Sequence, residues 1–192
     1  MQAASSAPGK GGGTSSPKRL VKGLLHVYTG PGKGKTTAAV GLATRAVGHG
    51  LRVYIVWFLK DRIEGGEFDA LERLGGVEFV CFGRSGSVNP KHPDKKDVEA
   101  AGQGLAPANA VIQDGAHDVV ILDEINLALH LGLLDLGKVL HILESRPAHV
   151  EVVCTGRGAP LELMGIADYV TRMELLKHPR ERGIESRKGI DE

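Results

Sequence analysis

Cysteine is nearly absent from this chain: two residues in 192, Cys81 and Cys154. They form no C-x-x-C pair, which excludes the usual zinc frameworks and dithiol redox motifs. Each closes an apolar run, so both are expected to be reduced thiols of the core. Aromatics make up only 4% of the residues, so the core must be built from Val, Leu, Ile and Ala. No apolar run approaches the roughly 20 residues of a membrane-spanning helix, and no membrane partner is expected. The N-terminus has no apolar signal core, so a cytoplasmic location is expected. There is also no excess of either charge. A formal net charge of +1 lacks the basic surplus of a nucleic-acid binder, although it leaves room for a local basic pocket.

What is present is enough apolar residue, 42% of the chain, to bury one domain of ordinary size. Residues 1–22 stand apart. The stretch Ala7-Pro8-Gly9-Lys10-Gly11-Gly12-Gly13-Thr14-Ser15-Ser16 buries too little apolar surface to offset the entropy of ordering it. It is expected to be a disordered tail before a single domain over 23–192.

Within that domain, short apolar runs alternate with segments of helical period. Residues 24–28, 53–58, 77–81, 119–122, 150–154 and 169–175 read as strands. Thr36 to Val47 reads as a helix stopped by Gly48-His49-Gly50. Phe68, Leu71 and Leu74 mark a short helix, Leu136, Val139, Leu140 and Leu143 another, and 161–166 a third. Between 94 and 115, Val98, Ala101, Leu105 and Ile112 have helical spacing, but Gly102, Gly104 and Pro107 argue against an unbroken helix. Strands apolar on both faces and separated by helices predict an α/β fold. Its sheet is mostly parallel and six-stranded, with helices on both faces.

The first strand runs into Thr29-Gly30-Pro31-Gly32-Lys33-Gly34-Lys35-Thr36-Thr37, which opens a helix. That is the setting of a phosphate-binding loop. Its glycines let successive N–H groups turn inward on an anion, and the helix N-terminus adds partial positive charge. Residues 30–37 are therefore the candidate nucleotide site: Gly30, Pro31, Gly32, Lys33, Gly34, Lys35, Thr36 and Thr37. Lys35 can reach phosphate oxygens, and the Thr36 hydroxyl can hold a divalent cation. The commoner pattern, G-x-x-x-x-G-K-[ST], puts glycine where this chain has Thr29, so the loop is a variant.

Two further motifs fall at strand ends. Val119-Val120-Ile121-Leu122 runs into Asp123-Glu124, two carboxylates at the carboxyl edge of the sheet, where open α/β sheets bind ligands. They are candidate metal residues beside Thr36; alternatively Asp123 caps the following helix. After the fifth strand comes Thr155-Gly156-Arg157-Gly158. Arg157 either touches phosphate, ribose or a carboxylate, or is a solvated arginine in a turn.

These stretches resemble the P-loop ATP:corrinoid adenosyltransferases, the cob(I)yrinic acid a,c-diamide adenosyltransferase family. Besides the loop and Ala38-Ala39, the matching segments are Arg45-Ala46-Val47-Gly48-His49-Gly50, Phe82-Gly83-Arg84, Val120-Ile121-Leu122-Asp123-Glu124-Ile125-Asn126 and Thr155-Gly156-Arg157-Gly158. Ala167-Asp168, Leu176-Lys177-His178-Pro179 and Lys188-Gly189-Ile190-Asp191 follow. The resemblance implies transfer of the 5′-deoxyadenosyl group of ATP to the reduced cobalt of a corrinoid. Triphosphate is released, and Mg²⁺ or Mn²⁺ is needed. It also implies a homodimer and an electron-donating reductase as partner.

Cob(I) is a nucleophile without a proton to lose, so attack on C5′ needs no general base. It needs alignment and neutralisation of the leaving triphosphate, for which Lys33, Lys35 and Arg157 are the candidate catalytic residues. The segment after the third strand is the candidate corrinoid contact, through Phe82, Arg84, Val88 and His92; His92 is either a cobalt ligand or a solvated loop residue. It has no aromatic between 84 and 94, where some family members do. Two other readings use the same loop and acids: a kinase or ATPase attacking the γ-phosphate, and a nucleotide-binding regulatory subunit without catalysis.

Overall fold

A computed structural model of the chain describes residues 19–61, 65–84, 88–89 and 92–191. The tail expected over 1–22 lies outside the described residues up to 18. The elements in chain order are β1 (Leu25–Thr29), α1 (Lys35–Gly48), β2 (Val53–Phe58), α2 (Gly66–Leu74), β3 (Val77–Phe82) and α3 (Lys95–Asp114). They are followed by β4 (Val119–Asp123), α4 (Ile125–His130), α5 (Leu136–Glu144), β5 (Glu151–Thr155), α6 (Leu161–Ile166) and β6 (Tyr169–Arg172). A 3₁₀ turn, Pro179–Arg182, lies in the C-terminal segment.

The six strands form one sheet in the order β3-β2-β4-β5-β1-β6, and every pairing is parallel. Parallel strands need helical crossovers, and these cover both faces. On one face Ala39, Ala43 and Ala46 of α1 pack with Phe68 and Leu71 of α2 against Val53, Ile55, Trp57 and Ile121. On the other, Ala101, Ala108 and Ile112 of α3, Ile125 of α4, Leu143 of α5 and Leu163 of α6 pack against Val56, Phe58, Val120 and Leu122. Cys154 is fully buried among them, and burial pushes its thiol up to about 12. Cys81 is half-buried, and both cysteines are free.

The interruption expected in α3 does not occur: residues 95–114 form one helix through Gly102, Gly104 and Pro107. Its buried line is Asp97, Ala101, Gly104, Ala108 and Ile112, a helical spacing hidden because most of its members are small. Gly104 is small for a reason. A Cβ there would lie 2.8 Å from the Phe58 ring and 2.9 Å from the Phe82 ring, so packing overrides propensity. Two further differences are shorter: β6 ends at Arg172 rather than 175, and α4 was not expected.

Candidate active site

The topology brings the three motifs together. β5 lies between β1 and β4, so the turns after β1, β4 and β5 meet side by side at one edge of the sheet. The register pairs Tyr28 with Thr155 and Leu122 with Cys154, which sets Thr155 between the phosphate loop and Asp123.

The loop starts and ends on left-handed glycines, Gly30 at φ 99° and Gly34 at φ 113°, a region open to glycine at little cost. Gly34 is the N-cap of α1. Lys35 is buried, and its Nζ donates to the carbonyls of Gly30 at 2.9 Å and Gly32 at 2.6 Å. The ammonium is thus held over the concave side of the loop by the loop itself. Burial lowers its pKa, against the pull of Glu124. Thr29, the departure from the common pattern, is also buried. Its hydroxyl accepts the Ala159 N–H at 3.2 Å, tying the phosphate loop to the turn after β5, a bond that a glycine there could not make.

Asp123 is almost wholly buried. Its Oδ1 accepts the Thr36 hydroxyl at 3.0 Å and the Thr155 hydroxyl at 2.6 Å. Asp123 does not cap α4; that position belongs to Glu124, which offers no side-chain cap. Glu124 sits at φ 60°, a strained conformation for a residue with a side chain. Its N–H donates to Thr155 Oγ1 at 3.0 Å. Asp123 Oδ2 and Glu124 Oε2 are buried without a partner. Burial raises both carboxyl pKa values, and for Glu124 the charge of Asp123 adds to it. Two orphaned carboxylate oxygens beside a threonine hydroxyl form a donor set that fits a small hard cation. Among the described residues no group of three or more His, Cys, Asp or Glu gathers elsewhere to hold a metal.

Asn126 was quoted in the sequence only as part of a matching stretch. It is fully buried, and its Nδ2 lies 3.2 Å from the Tyr28 carbonyl, 3.3 Å from that of Cys154 and 3.4 Å from that of Gly156. It pins the ends of β1 and β5 to the start of α4. Only an amide with a buried donor does this, and no spacing in the sequence announces it.

The loop opens into a cleft of about 530 Å³ lined by residues 31–37, Glu124, Arg157, His178 and the C-terminal segment. Arg157 is exposed and lines this cleft, as one of the two readings of that arginine requires. Lys33 lines the same cleft and is tied to the C-terminal segment: its Nζ donates to Asp191 Oδ1 at 2.5 Å and to the Ile190 carbonyl at 2.7 Å. Arg187 and Lys33 together hold the Asp191 carboxyl well below the usual range.

The four candidate corrinoid residues line no part of this cleft. Phe82 and Val88 pack against the core cluster. Arg84 forks onto Asp97, with Nε to Oδ1 and Nη2 to Oδ2 at 3.2 Å. His92 is exposed.

A family model described as "ATP:corrinoid adenosyltransferase BtuR/CobO/CobP" matches residues 21–191. The chain is 38% identical over 173 residues to a corrinoid adenosyltransferase of Sinorhizobium sp, covering 88% of this chain and 80% of that one. It is 37% identical over 171 residues to a corrinoid adenosyltransferase of Pseudomonas aeruginosa, covering 88% and 84%. Among solved structures, the flagellar accessory protein FlaH from Methanocaldococcus jannaschii superposes with a TM-score of 0.53 at 14% identity. The match covers 83% of this chain and 74% of that one, a likeness of fold alone.

Proposed function

The chain belongs to the ATP:corrinoid adenosyltransferase family, and from that premise we propose that it transfers the 5′-deoxyadenosyl group of ATP to the cobalt(I) of a corrinoid in adenosylcobalamin biosynthesis or salvage. The observation that carries this reading is the family match across nearly the whole described chain. It runs over a phosphate loop set against a buried, orphaned carboxylate pair.

The loop amides from Gly30 to Thr37 and the Lys35 ammonium hold the triphosphate. When ATP enters, its oxygens replace the Gly30 and Gly32 carbonyls as partners of Lys35. A cobalt lone pair forms the Co–C5′ bond as the C5′–O bond breaks, and that electron pair leaves on the triphosphate. The change in charge is concentrated there, so cations preorganised around it favour the transition state. Lys35, Lys33 and Arg157 are those cations. Thr36, Asp123 and Glu124 hold Mg²⁺ or Mn²⁺, which supplies further neutralisation of the phosphates when bound. No proton is transferred, which agrees with a site built of cations, amides and acids.

The corrinoid lies against the segment that follows β3. There Arg84 and His92 offer exposed surface, while Phe82 and Val88 serve as the packed base. A reductase supplies the electron, and the working form is a homodimer in the cytoplasm. In support, no described helix is long and apolar enough to cross a membrane, and the near-neutral charge favours small-molecule over nucleic-acid partners. The test is spectroscopic: with MgATP and chemically reduced corrinoid, the absorbance must change to that of an alkylated cobalt.

A further inference from the structure

A second cleft, of about 520 Å³, meets the first along Lys33, Thr36 and Thr37. Its other wall is formed by Lys60, Gly65, Gly66 and Glu67. The reaction derived above assigns nothing to this wall, and the sequence reading singled out none of its residues. Lys60 follows β2, and β2 pairs directly with β4, the strand that carries Asp123. Each of the two clefts that share Lys33, Thr36 and Thr37 therefore has a basic side chain from a neighbouring turn: Arg157 after β5 in the first, and Lys60 after β2 in the second.

Three features show that Lys60 is aimed rather than merely present. First, Leu59, the residue before it, has φ 61°, one of only two such values at non-glycine residues among those described; strain of this kind persists only where the surroundings enforce it. Second, Gly83 after β3 packs so closely that a Cβ there would meet the Lys60 backbone N, and would lie 2.6 Å from the Leu59 carbonyl carbon. The neighbouring turn thus fixes the strained one. Third, the side chain is braced. Its Nζ stands 4.1 Å from the centroid of the Trp57 ring and 5.2 Å from that of Phe68, a cation–π seat. Its only ion-pair partner among the described residues is Glu67 at 3.4 Å, and the side chain is one-third exposed toward the cleft.

We propose that Lys60 is a further catalytic cation of this site, one that contacts a phosphate oxygen of the triphosphate from the second cleft, beside Thr36 and Thr37. The proposal rests on the adenosyl-transfer reading for its chemistry, but not for its geometry. Lys35 and Lys33 reach the anion from within the loop. A cation held on aromatic faces in the cleft shared with Thr36 and Thr37 adds neutralisation from beyond the loop itself. Its rigid seat means that little side-chain entropy is lost when the anion arrives.

The test uses inorganic triphosphate as probe, so that it does not depend on adenosyl transfer. Calorimetric titration into the full chain with Mg²⁺ is compared for wild type, Lys60→Met and Lys60→Arg. Methionine keeps the stem over Trp57 and removes the charge. The expected result is about a tenfold weaker affinity for Lys60→Met and a change within about threefold for Lys60→Arg, with a larger loss of kcat than of KM for ATP in Lys60→Met. Reductive methylation of the unaltered protein gives a second reading that needs no variant: triphosphate should protect Lys60 from labelling. A folded Lys60→Met protein with wild-type affinity, equal labelling of Lys60 with and without triphosphate, or a wild type that binds no triphosphate, overturns the proposal. If triphosphate binds and protects Lys60 while no cobalt–carbon bond forms, the phosphate contact stands and the adenosyl-transfer reading falls.

Discussion

The hydroxyl of Thr155 donates to Oδ1 of Asp123 at 2.6 Å, across the boundary between β5 and β4. Thr155 Oγ1 also accepts the Glu124 N–H at 3.0 Å, so a single hydroxyl holds one acid by its side chain and the next by its backbone. Thr155→Val keeps the shape and removes both bonds. It leaves a buried donor and a buried carboxylate less satisfied, and should cost about 1–3 kcal/mol in urea denaturation, with a fall in turnover. An unchanged urea midpoint would show that the bridge does not matter to the fold.

Lys35→Ala removes the charge that faces the leaving group. The backbone of the loop is set by Gly30 and Gly34, so the fold should persist, with an unchanged far-UV spectrum. Turnover should fall by about a hundredfold or more. Near-normal turnover in the folded variant would remove the phosphate loop from the mechanism.

The acids predict a pH dependence. Burial raises the Glu124 pKa above the ordinary glutamate value, and Asp123 is raised for the same reason. The acid limb of the activity profile should therefore lie at higher pH than ordinary carboxylates would place it. Stability runs the opposite way. With a raised pKa, the folded state binds protons more readily than the unfolded one between the ordinary and the raised values. This contribution is present at low pH and is lost as pH rises through that window. Glu124→Gln should flatten both trends and weaken Mg²⁺-dependent turnover; an acid limb left in place by both Glu124→Gln and Asp123→Asn would assign it to another group.

The two glycines inside α3 separate propensity from packing. A Cβ at Gly102 meets nothing within 4 Å, whereas one at Gly104 runs into Phe58 and Phe82. Gly102→Ala should stabilise by roughly 0.5–1 kcal/mol, as helix propensity dictates. Gly104→Ala should destabilise by about 1–3 kcal/mol through overpacking. Thermal melts of the two variants shifting in the same direction would contradict this contrast.

α3 also shows where the sequence was legible and where it was not. β2 stands over 53–58 as expected, because a run of Val, Tyr, Ile, Val, Trp and Phe has no other good use in a domain this poor in aromatics. The phosphate loop and the acids after β4 were legible because their chemistry needs particular residues at fixed offsets. α3 was misread because its buried line uses Gly104 and Ala108, which carry almost no hydrophobic signal; the facing aromatics supply the bulk. Asn126 and Thr155 escaped notice as site-building residues for a related reason. Their roles depend on strand order, β4-β5-β1, which places residues distant in sequence at hydrogen-bond distance. The clamp of Arg84 on Asp97 is likewise a tertiary contact, invisible in a segment read as loop.

The central claim is settled by where the bond in ATP breaks. With MgATP and chemically reduced corrinoid, phosphorus NMR follows the phosphate products while absorbance follows the cobalt. Attack at C5′ leaves the three phosphates joined, so the account predicts inorganic triphosphate in step with cobalt–carbon bond formation, and no ADP. Accumulation of ADP with or without corrinoid, and a spectrum that stays that of reduced corrinoid, would contradict it and place the reaction at the γ-phosphate instead.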